Sequence, residues 1–301
     1  MSRTILVTGA AGLIGRAVVE QLLARGDEVV AIDRAASGSG RSAVRDCDLR
    51  DSHRLHAIAA ATPFDGIIHC GAHSGPMVAR DNPYDLVQVN VVGTANVLEI
   101  ARIWRVRRLV NCSSVSAYGD TPSGLVTEEA PLRPSTVYGA TKLAAEKIAT
   151  AYWQEHGVDA VSLRLAWVYG PNRTTFCLLR QMVADTLVGR PVRLATGGDA
   201  MRQYIHADDA AAALIDALDA EKLGQRAYTV TGDDFRTVTE AAALVRSVLP
   251  EADIEIGPGP EPGDDVQHRF DISAARRDLG YEPAVTLEQG IRDMADRLRG
   301  A

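Results

Sequence analysis

The 301-residue sequence is poor in aromatic residues, at 5%, and holds only four cysteines, Cys47, Cys70, Cys112 and Cys177. They lie far apart and form no C-x-x-C pair, so neither a disulfide framework nor a paired zinc motif is expected. No apolar run reaches the roughly 18 residues that suggest a membrane span. Met1 to Ala10 lacks the basic start, long apolar stretch and cleavage site of a secretory signal, and the expectation is a cytoplasmic protein away from membranes. Excess positive charge is also missing, the formal net charge being −7. Proteins that bind a nucleic-acid backbone draw affinity from clustered Lys and Arg, so no nucleic-acid partner is expected. A small anionic ligand held by a few local donors stays compatible with that balance.

What is present is ordinary for a globular chain, with 46% hydrophobic and 24% charged residues. A chain of this length buries about three quarters of the surface that its unfolded form exposes. It suits one large domain, or one domain with a smaller companion. Thr4–Thr8, Glu28–Ile32, Gly66–His69, Arg107–Cys112 and Ala160–Leu165 read as strands, with Ser42–Cys47 a further candidate. Leu13–Arg25, Asp51–Ala61, a long stretch within Asp81–Trp104, and Ser135–Gln154 have helical spacing. Continuous apolar strands alternating with helices indicate a parallel sheet covered on both faces. The second half is less regular. Phe176–Val188, Asp208–Asp219, Thr239–Leu249, Ser273–Leu279 and Leu287–Leu298 read as helices, and Pro191–Leu194 as a short strand. Gly257–Asp265 (GPGPEPGDD) can be neither helix nor central strand; it is a plain connection or a loop beside a ligand.

Thr8-Gly9-Ala10-Ala11-Gly12-Leu13-Ile14-Gly15 joins the first strand to the first helix. Glycines there turn the chain tightly and bring the backbone close to a pyrophosphate, and the helix start at Leu13 and Ile14 offers free N–H groups. The spacing, G-x-x-G-x-x-G, is a variant of a dinucleotide fingerprint, and a structural glycine turn is its plain alternative. Asp33 adds a second part: an acid ending the second strand, 18 residues beyond Gly15, placed to accept ribose hydroxyls. Its charge repels a 2′-phosphate, which favours NAD over NADP, and Arg34 beside it softens that preference. Asp48 and Leu49, after the third strand, would lie near the adenine; an isolated turn aspartate explains Asp48 as well.

Tyr138-Gly139-Ala140-Thr141-Lys142 lies early in a helical stretch, so Tyr138 and Lys142 share a face. An ammonium beside a phenol favours the phenolate and makes it a usable base. Ser113-Ser114-Val115-Ser116-Ala117-Tyr118-Gly119 follows a strand, which puts hydroxyls at the sheet edge where open α/β folds bind ligands. Each motif alone is common, the first in any helix and the second as turn or cap chemistry.

With these residues in place the sequence resembles the extended short-chain dehydrogenase/reductase family, the NAD-dependent epimerases and dehydratases. The resemblance runs through TGAAGLIG, NVVGT from Asn90 to Thr94, SSVSAYG, YGATK, LRLAWVYGP from Leu163 to Pro171, RQYIHADD from Arg202 to Asp209, and DISAARRDLGYEP from Asp271 to Pro283. It implies that Tyr138 removes the proton of a substrate hydroxyl while the carbon-bound hydrogen leaves as hydride to the nicotinamide. Lys142 would hold the nicotinamide ribose and Ser114 the reacting oxygen. Asn90 would sit near the cofactor, and Ser74 and Ser116 on the substrate side. A homodimer through the helices of Asp81–Trp104 and Ser135–Gln154 is also implied. The fold class expected is α/β: a Rossmann-type doubly wound parallel sheet with a smaller α/β C-terminal substrate lobe. Residues 1–168 would form the NAD-binding domain, with 203–230 returning to it, and 169–301 the lobe.

Departures from the family bear on the substrate. The 4,6-dehydratases carry Thr-Asp-Glu where this chain has Ser114-Val115-Ser116, so the acid and base for eliminating water are missing. Nucleotide-sugar 4-epimerases usually place an Asn, contacting the diphosphate, where this chain has Trp167. They also tend to carry Arg in an R-x-G-D segment where it has Glu261-Pro262-Gly263-Asp264. A carboxylate repels a diphosphate, and an indole offers one donor in place of an amide. Arg202 matches the family's nucleotide-contacting arginine, but the segment from Tyr169 to Arg202 is shorter than is common. The expectation is therefore a smaller substrate, a sugar, sugar acid or lactone. Arg173, Thr174 and Thr175 would bind its oxygens, or are simply polar loop residues.

Three further segments look functional and are read otherwise. His69-Cys70-Gly71-Ala72-His73 lacks zinc spacing, so no metal is expected, and His73 is left open as a substrate neighbour. His206-Ala207-Asp208-Asp209 reads as a helix start that docks the lobes. Arg102–Arg108 (RIWRVRR) reads as the solvated basic end of a helix. The expected function is an NAD-dependent oxidoreductase working on a carbinol carbon of a carbohydrate through Ser114, Tyr138 and Lys142. A dehydrogenase or epimerase of a small sugar ranks ahead of a UDP-sugar 4-epimerase. A non-catalytic NAD-binding regulator ranks last, because such relatives lose the Tyr or Lys kept here.

Overall fold

The structure is a computed structural model and describes residues 3–300. Six strands come from the first 165 residues: β1 (Thr4–Thr8), β2 (Glu28–Asp33), β3 (Val44–Asp46), β4 (Gly66–His69), β5 (Arg108–Ser114) and β6 (Ala160–Leu165). Four short strands follow, β7 (Val168–Tyr169), β8 (Val192–Leu194), β9 (Met201–Gln203) and β10 (Ile205–His206), and then β11 (Ala227–Val230). Seven of these form one sheet in the order β3-β2-β1-β4-β5-β6-β11. Every pairing in it is parallel. The direction of winding reverses between β1 and β4, which opens a crevice at the C-terminal strand ends.

Successive strand residues point to opposite faces, so Ile5 and Val7 join one core and Leu6 another. Burial on both sides explains why β4 and β5 carry no exposed residue. One face is covered by α1 (Leu13–Ala24), through Val18 and Leu22. The other is covered by α2 (Ser52–Ala61), then a helix that runs as α3 (Pro83–Val87), a π turn (Gln88–Val92) and α4 (Gly93–Ile103), and by α5 (Val137–His156). Thr136 starts α5 by accepting from the Gly139 N–H at 3.0 Å, and Gly157 at φ 69° ends it. The helix over 83–103 is long and apolar enough to cross a bilayer by length and composition alone. Here it packs Val97, Leu98, Ile100 and Ala101 into the core.

A second core gathers α6 (Leu178–Leu187), α8 (Val238–Val248) and α10 (Leu287–Arg299), through Met182, Val183, Val245, Ile291 and Met294. Between them in sequence, α7 (Ala207–Asp219) and α9 (Ser273–Leu279) pack instead on the α1 side of the sheet. Strands β12 (Phe235–Thr237) and β13 (Ile254–Ile256) pair with β9 and β8. Capping boxes at Thr237–Glu240 and Thr286–Gln289 start α8 and α10. The His206 segment is the expected helix start: its Nδ1 accepts from the Asp208 N–H at 3.3 Å. Asp209 accepts from the Ala284 and Val285 N–H groups, each at 3.0 Å, and so ties α7 to the chain before α10.

Candidate active site

A cavity of 620 Å³ lies along the crevice, from the glycine turn at one end to the 257–265 loop at the other. At the first end the backbone makes the wall. Gly9 has φ +67°, and a Cβ there would stand 2.6 Å from Gly71 Cα; one on Gly15 would stand 2.1 Å from the Gly9 carbonyl oxygen. Side chains are excluded because the turn is folded on itself, with the Gly12 N–H donating to the Gly9 carbonyl at 3.0 Å. Leu13 and Ile14 line the cavity at the start of α1, which no side chain caps. Asp33 ends β2 on the same wall, oriented by the Ala11 N–H at 3.1 Å and the Ala35 N–H at 3.2 Å. Asp48 and Leu49 line it too. Arg50 donates to Asp48 from its N–H and its guanidinium, which holds that carboxyl below the usual carboxylate range.

Tyr138 and Lys142 stand one turn apart on α5, each 7% exposed, and both face the cavity. The glycine between them is required: a Cβ on Gly139 would meet the Ser116 carbonyl oxygen at 2.3 Å. That close approach presses α5 onto the turn that follows β5, where Ser114 and Ser116 lie. The Ser116 N–H donates to Ser114 Oγ at 3.1 Å, and the two hydroxyls are 3.2 Å apart. Lys142 Nζ donates to the Cys112 carbonyl at 2.8 Å and lies 5.9 Å from the centre of the Tyr138 ring. Glu146, one turn further along the same helix face, accepts from Ser113 Oγ and from Arg164 Nε and Nη2, the last at 2.9 Å. Arg164 Nη1 also donates to the Tyr118 hydroxyl at 2.8 Å. This buried network joins β5, β6 and α5 directly behind Ser114. The sequence reading missed it, although the i+4 spacing from Lys142 to Glu146 was there to find.

Asn90 lies one residue back from the cavity, behind His73. It is not on the cavity wall. Its side chain accepts from the His73 N–H at 2.8 Å and donates to the His73 carbonyl at 3.1 Å and to Thr141 Oγ1 at 3.0 Å. It thus clamps the loop after β4 to α5, buried within the π turn. The neighbouring histidines are likewise committed. His69 lies between Thr8 Oγ1 at 2.6 Å and Thr94 Oγ1 at 3.0 Å, and burial pushes its pKa down to about 3. His73 lines the cavity, with Nε2 2.8 Å from Asp85. Among the described residues no group of three or more His, Cys, Asp or Glu is placed to hold a metal ion.

At the far end side chains make the wall. Ser74, Trp167, Arg173, Thr174, Thr175 and Arg202 all line it, as does the 257–265 loop through Glu261, Gly263, Asp264 and Asp265. That loop therefore forms part of the cavity wall. Arg202 is buried, its guanidinium 3.8 Å from the Trp167 ring centre and bonded to both Glu261 and Asp264. Burial pushes the Asp264 carboxyl above its ordinary range, against the pull of Arg202. Trp167 has φ +37°, a strained setting for a residue other than glycine. Among the described residues, Trp167 Nε1 and Arg173 Nε are buried without a hydrogen-bond partner.

The sequence pattern of the NAD dependent epimerase/dehydratase family matches residues 5–231. The chain belongs to this family. It is an enzyme of the extended short-chain dehydrogenase/reductase type, and the family depends on NAD. It is 32% identical over 98% of its length to the UDP-glucose 4-epimerase of Mycolicibacterium smegmatis, 98% of which is covered. It is 28% identical to the dTDP-glucose 4,6-dehydratase of Neisseria meningitidis, over 96% of this chain and 91% of that one. Among solved structures, the UDP-glucose 4-epimerase of Thermus thermophilus in complex with NAD superposes with a TM-score of 0.88 at 31% identity, covering 99% of both chains.

Proposed function

We propose that this family member is a sugar-nucleotide epimerase of the UDP-glucose 4-epimerase type. The observation that carries the reading is the 32% identity to such an enzyme over 98% of both chains. Ser114-Val115-Ser116 supports it against the dehydratase relatives, because two hydroxyls do not supply the acid and base that eliminate water. The small-sugar reading moves to second place. What favours it is Arg202, which is already bound by two carboxylates of the chain itself.

The residues present fit NAD, since the glycine turn clears backbone space that any Cβ would fill. Gly9, Gly12, Leu13, Ile14 and Gly15 would hold its diphosphate, Asp33 its adenosine ribose, Asp48 and Leu49 its adenine, and Lys142 its nicotinamide ribose. When bound, NAD would supply a reversible hydride acceptor for the substrate carbon. The chain's residues do the rest. Tyr138 takes the proton from the hydroxyl on that carbon and returns it after the face has changed. Ser114 donates a hydrogen bond to the reacting oxygen, and Ser116 steadies Ser114. Asn90 acts as a positioning residue through His73 and Thr141. The near-complete burial of Tyr138 and Lys142 keeps bulk water from the proton transfer.

The same proposal divides the chain at residue 168, with 203–230 returning to the first part, and places the enzyme in the cytoplasm. It includes a homodimer, because Val87, Val92, Ile103 and Trp104 on the 83–104 segment, and Val137 and Trp153 on α5, are apolar and exposed. Turnover of UDP-glucose and UDP-galactose tests the function. Isomerised product without net NADH is expected, and net NADH would mean a dehydrogenase instead. Tyr138→Phe should lose about 10² to 10⁴ in kcat while still binding NAD. Full turnover in that variant would sink the mechanism.

A further inference from the structure

The far wall of the cavity carries more negative than positive side chains. Arg202 Nη2 donates to Glu261 Oε2 and to Asp264 Oδ2, each at 2.6 Å, and Nη1 donates to the Met201 carbonyl at 2.9 Å. Two carboxylates on one guanidinium leave one negative charge in excess. Asp265 adds another on the same wall, where its carboxylate accepts from Ser135 Oγ. Arg173, the other cation on this side, donates Nη1 to the Val168 carbonyl. Glu261 is set between Pro260 and Pro262, whose rings restrict the backbone, and Gly259 and Gly263 flank them at φ +97° and +83°. The loop thus presents a stiff acidic tip to a buried arginine.

A guanidinium offers the same planar donors to a phosphate as to a carboxylate. Any substrate phosphate that reaches Arg202 competes with carboxylates held beside it at high effective concentration. We propose that Glu261 sets how tightly the cavity holds a substrate phosphate: with Asp264 it is an internal ligand of Arg202, which a phosphate must displace. The proposal rests on the reading of this cavity as the substrate site. It makes this chain a weaker binder of sugar nucleotides than the same cavity with residue 261 uncharged.

Binding to the NAD-loaded protein tests it, by calorimetry with UDP, inorganic pyrophosphate and uridine. Glu261→Gln should bind UDP and pyrophosphate about tenfold more tightly than wild type, the scale set by one charge near a partly exposed site. Uridine, which lacks the phosphates, should bind both proteins equally. Glu261→Arg should extend the gain for the two anions. Thermal melting with NAD checks that each variant is folded. Affinities for UDP and pyrophosphate that stay the same or fall in Glu261→Gln would overturn the proposal. The sugar-nucleotide reading fails separately, when neither UDP nor uridine binds either protein; pyrophosphate then still decides the role of Glu261.

Discussion

The two ends of the cavity are made of different material. At the glycine end the wall is mainly backbone, with Gly9 and Gly15 packed so closely on neighbouring backbone that no Cβ fits. At the other end the wall is charged side chains, with one arginine shared by two acids drawn from a loop some sixty residues away in the sequence. A backbone wall suits a ligand that never changes within the family. A wall of side chains on short strands and a loop can be rewritten residue by residue. The difference predicts where substitutions abolish binding and where they redirect it.

The largest effect is expected at the backbone end. In Gly15→Ala the new methyl would stand 2.1 Å from the Gly9 carbonyl oxygen, with no flexible side chain to yield. NAD affinity should fall by about tenfold to a hundredfold, read by fluorescence titration. Unchanged NAD affinity would break the contrast, since the same change at half-buried Gly259 meets no atom within 4 Å, strains only its own turn at φ +97° and should leave NAD affinity alone. Asp33→Asn comes next. Removing that charge should lower the preference for NAD over NADP by about tenfold, measured as the ratio of the two dissociation constants. A ratio that does not move would show that the loop, and not the acid, sets cofactor choice.

The smallest effect is expected away from both walls, on α7. Asp216 lies on α7, and burial pushes its pKa up to about 6, with Asp219 adding to the shift and Arg25 opposing it. A carboxyl raised in the folded state contributes stability below its unfolded value, near 3.8, and loses it as pH rises through about 6. Asp216→Asn should therefore raise Tm by a few degrees at pH 7.5 and leave it unchanged at pH 4. A gain at both pH values would point to packing rather than charge.

The same contrast governs how much could be read from the sequence. Gly66–His69, Ala160–Leu165 and Ser273–Leu279 have in the structure the bounds that their patterns indicate. Long apolar strands and capped helices carry their own period and punctuation. Strands β7, β9, β10, β12 and β13 have two or three residues each, too few for any period, and were not legible. The tyrosine, lysine and serines of the site lie in local motifs, so their meeting at one sheet edge could be foreseen. The hold of Asn90 on His73 and Thr141 joins three separate stretches of chain, which helical spacing does not reveal. The Glu146–Arg164 pair and the hold of Glu261 on Arg202 depend on which strands and loops become neighbours. Only the fold decides that.

For recombination between relatives, the position of β11 matters more than any single residue. It forms the outer strand of the main sheet, yet the chain reaches it only after passing through α6, β8 and β9. A single crossover near residue 168 would part the sheet from its seventh strand and from α7, whose Ala210, Ala213, Leu214 and Ala217 belong to the first core. A substrate-side graft must instead be spliced as two inserts, one before α7 and one after β11. The fold therefore exchanges its specificity in paired pieces, and chimaeras built from one piece alone would mix a wall from one parent with a loop from the other.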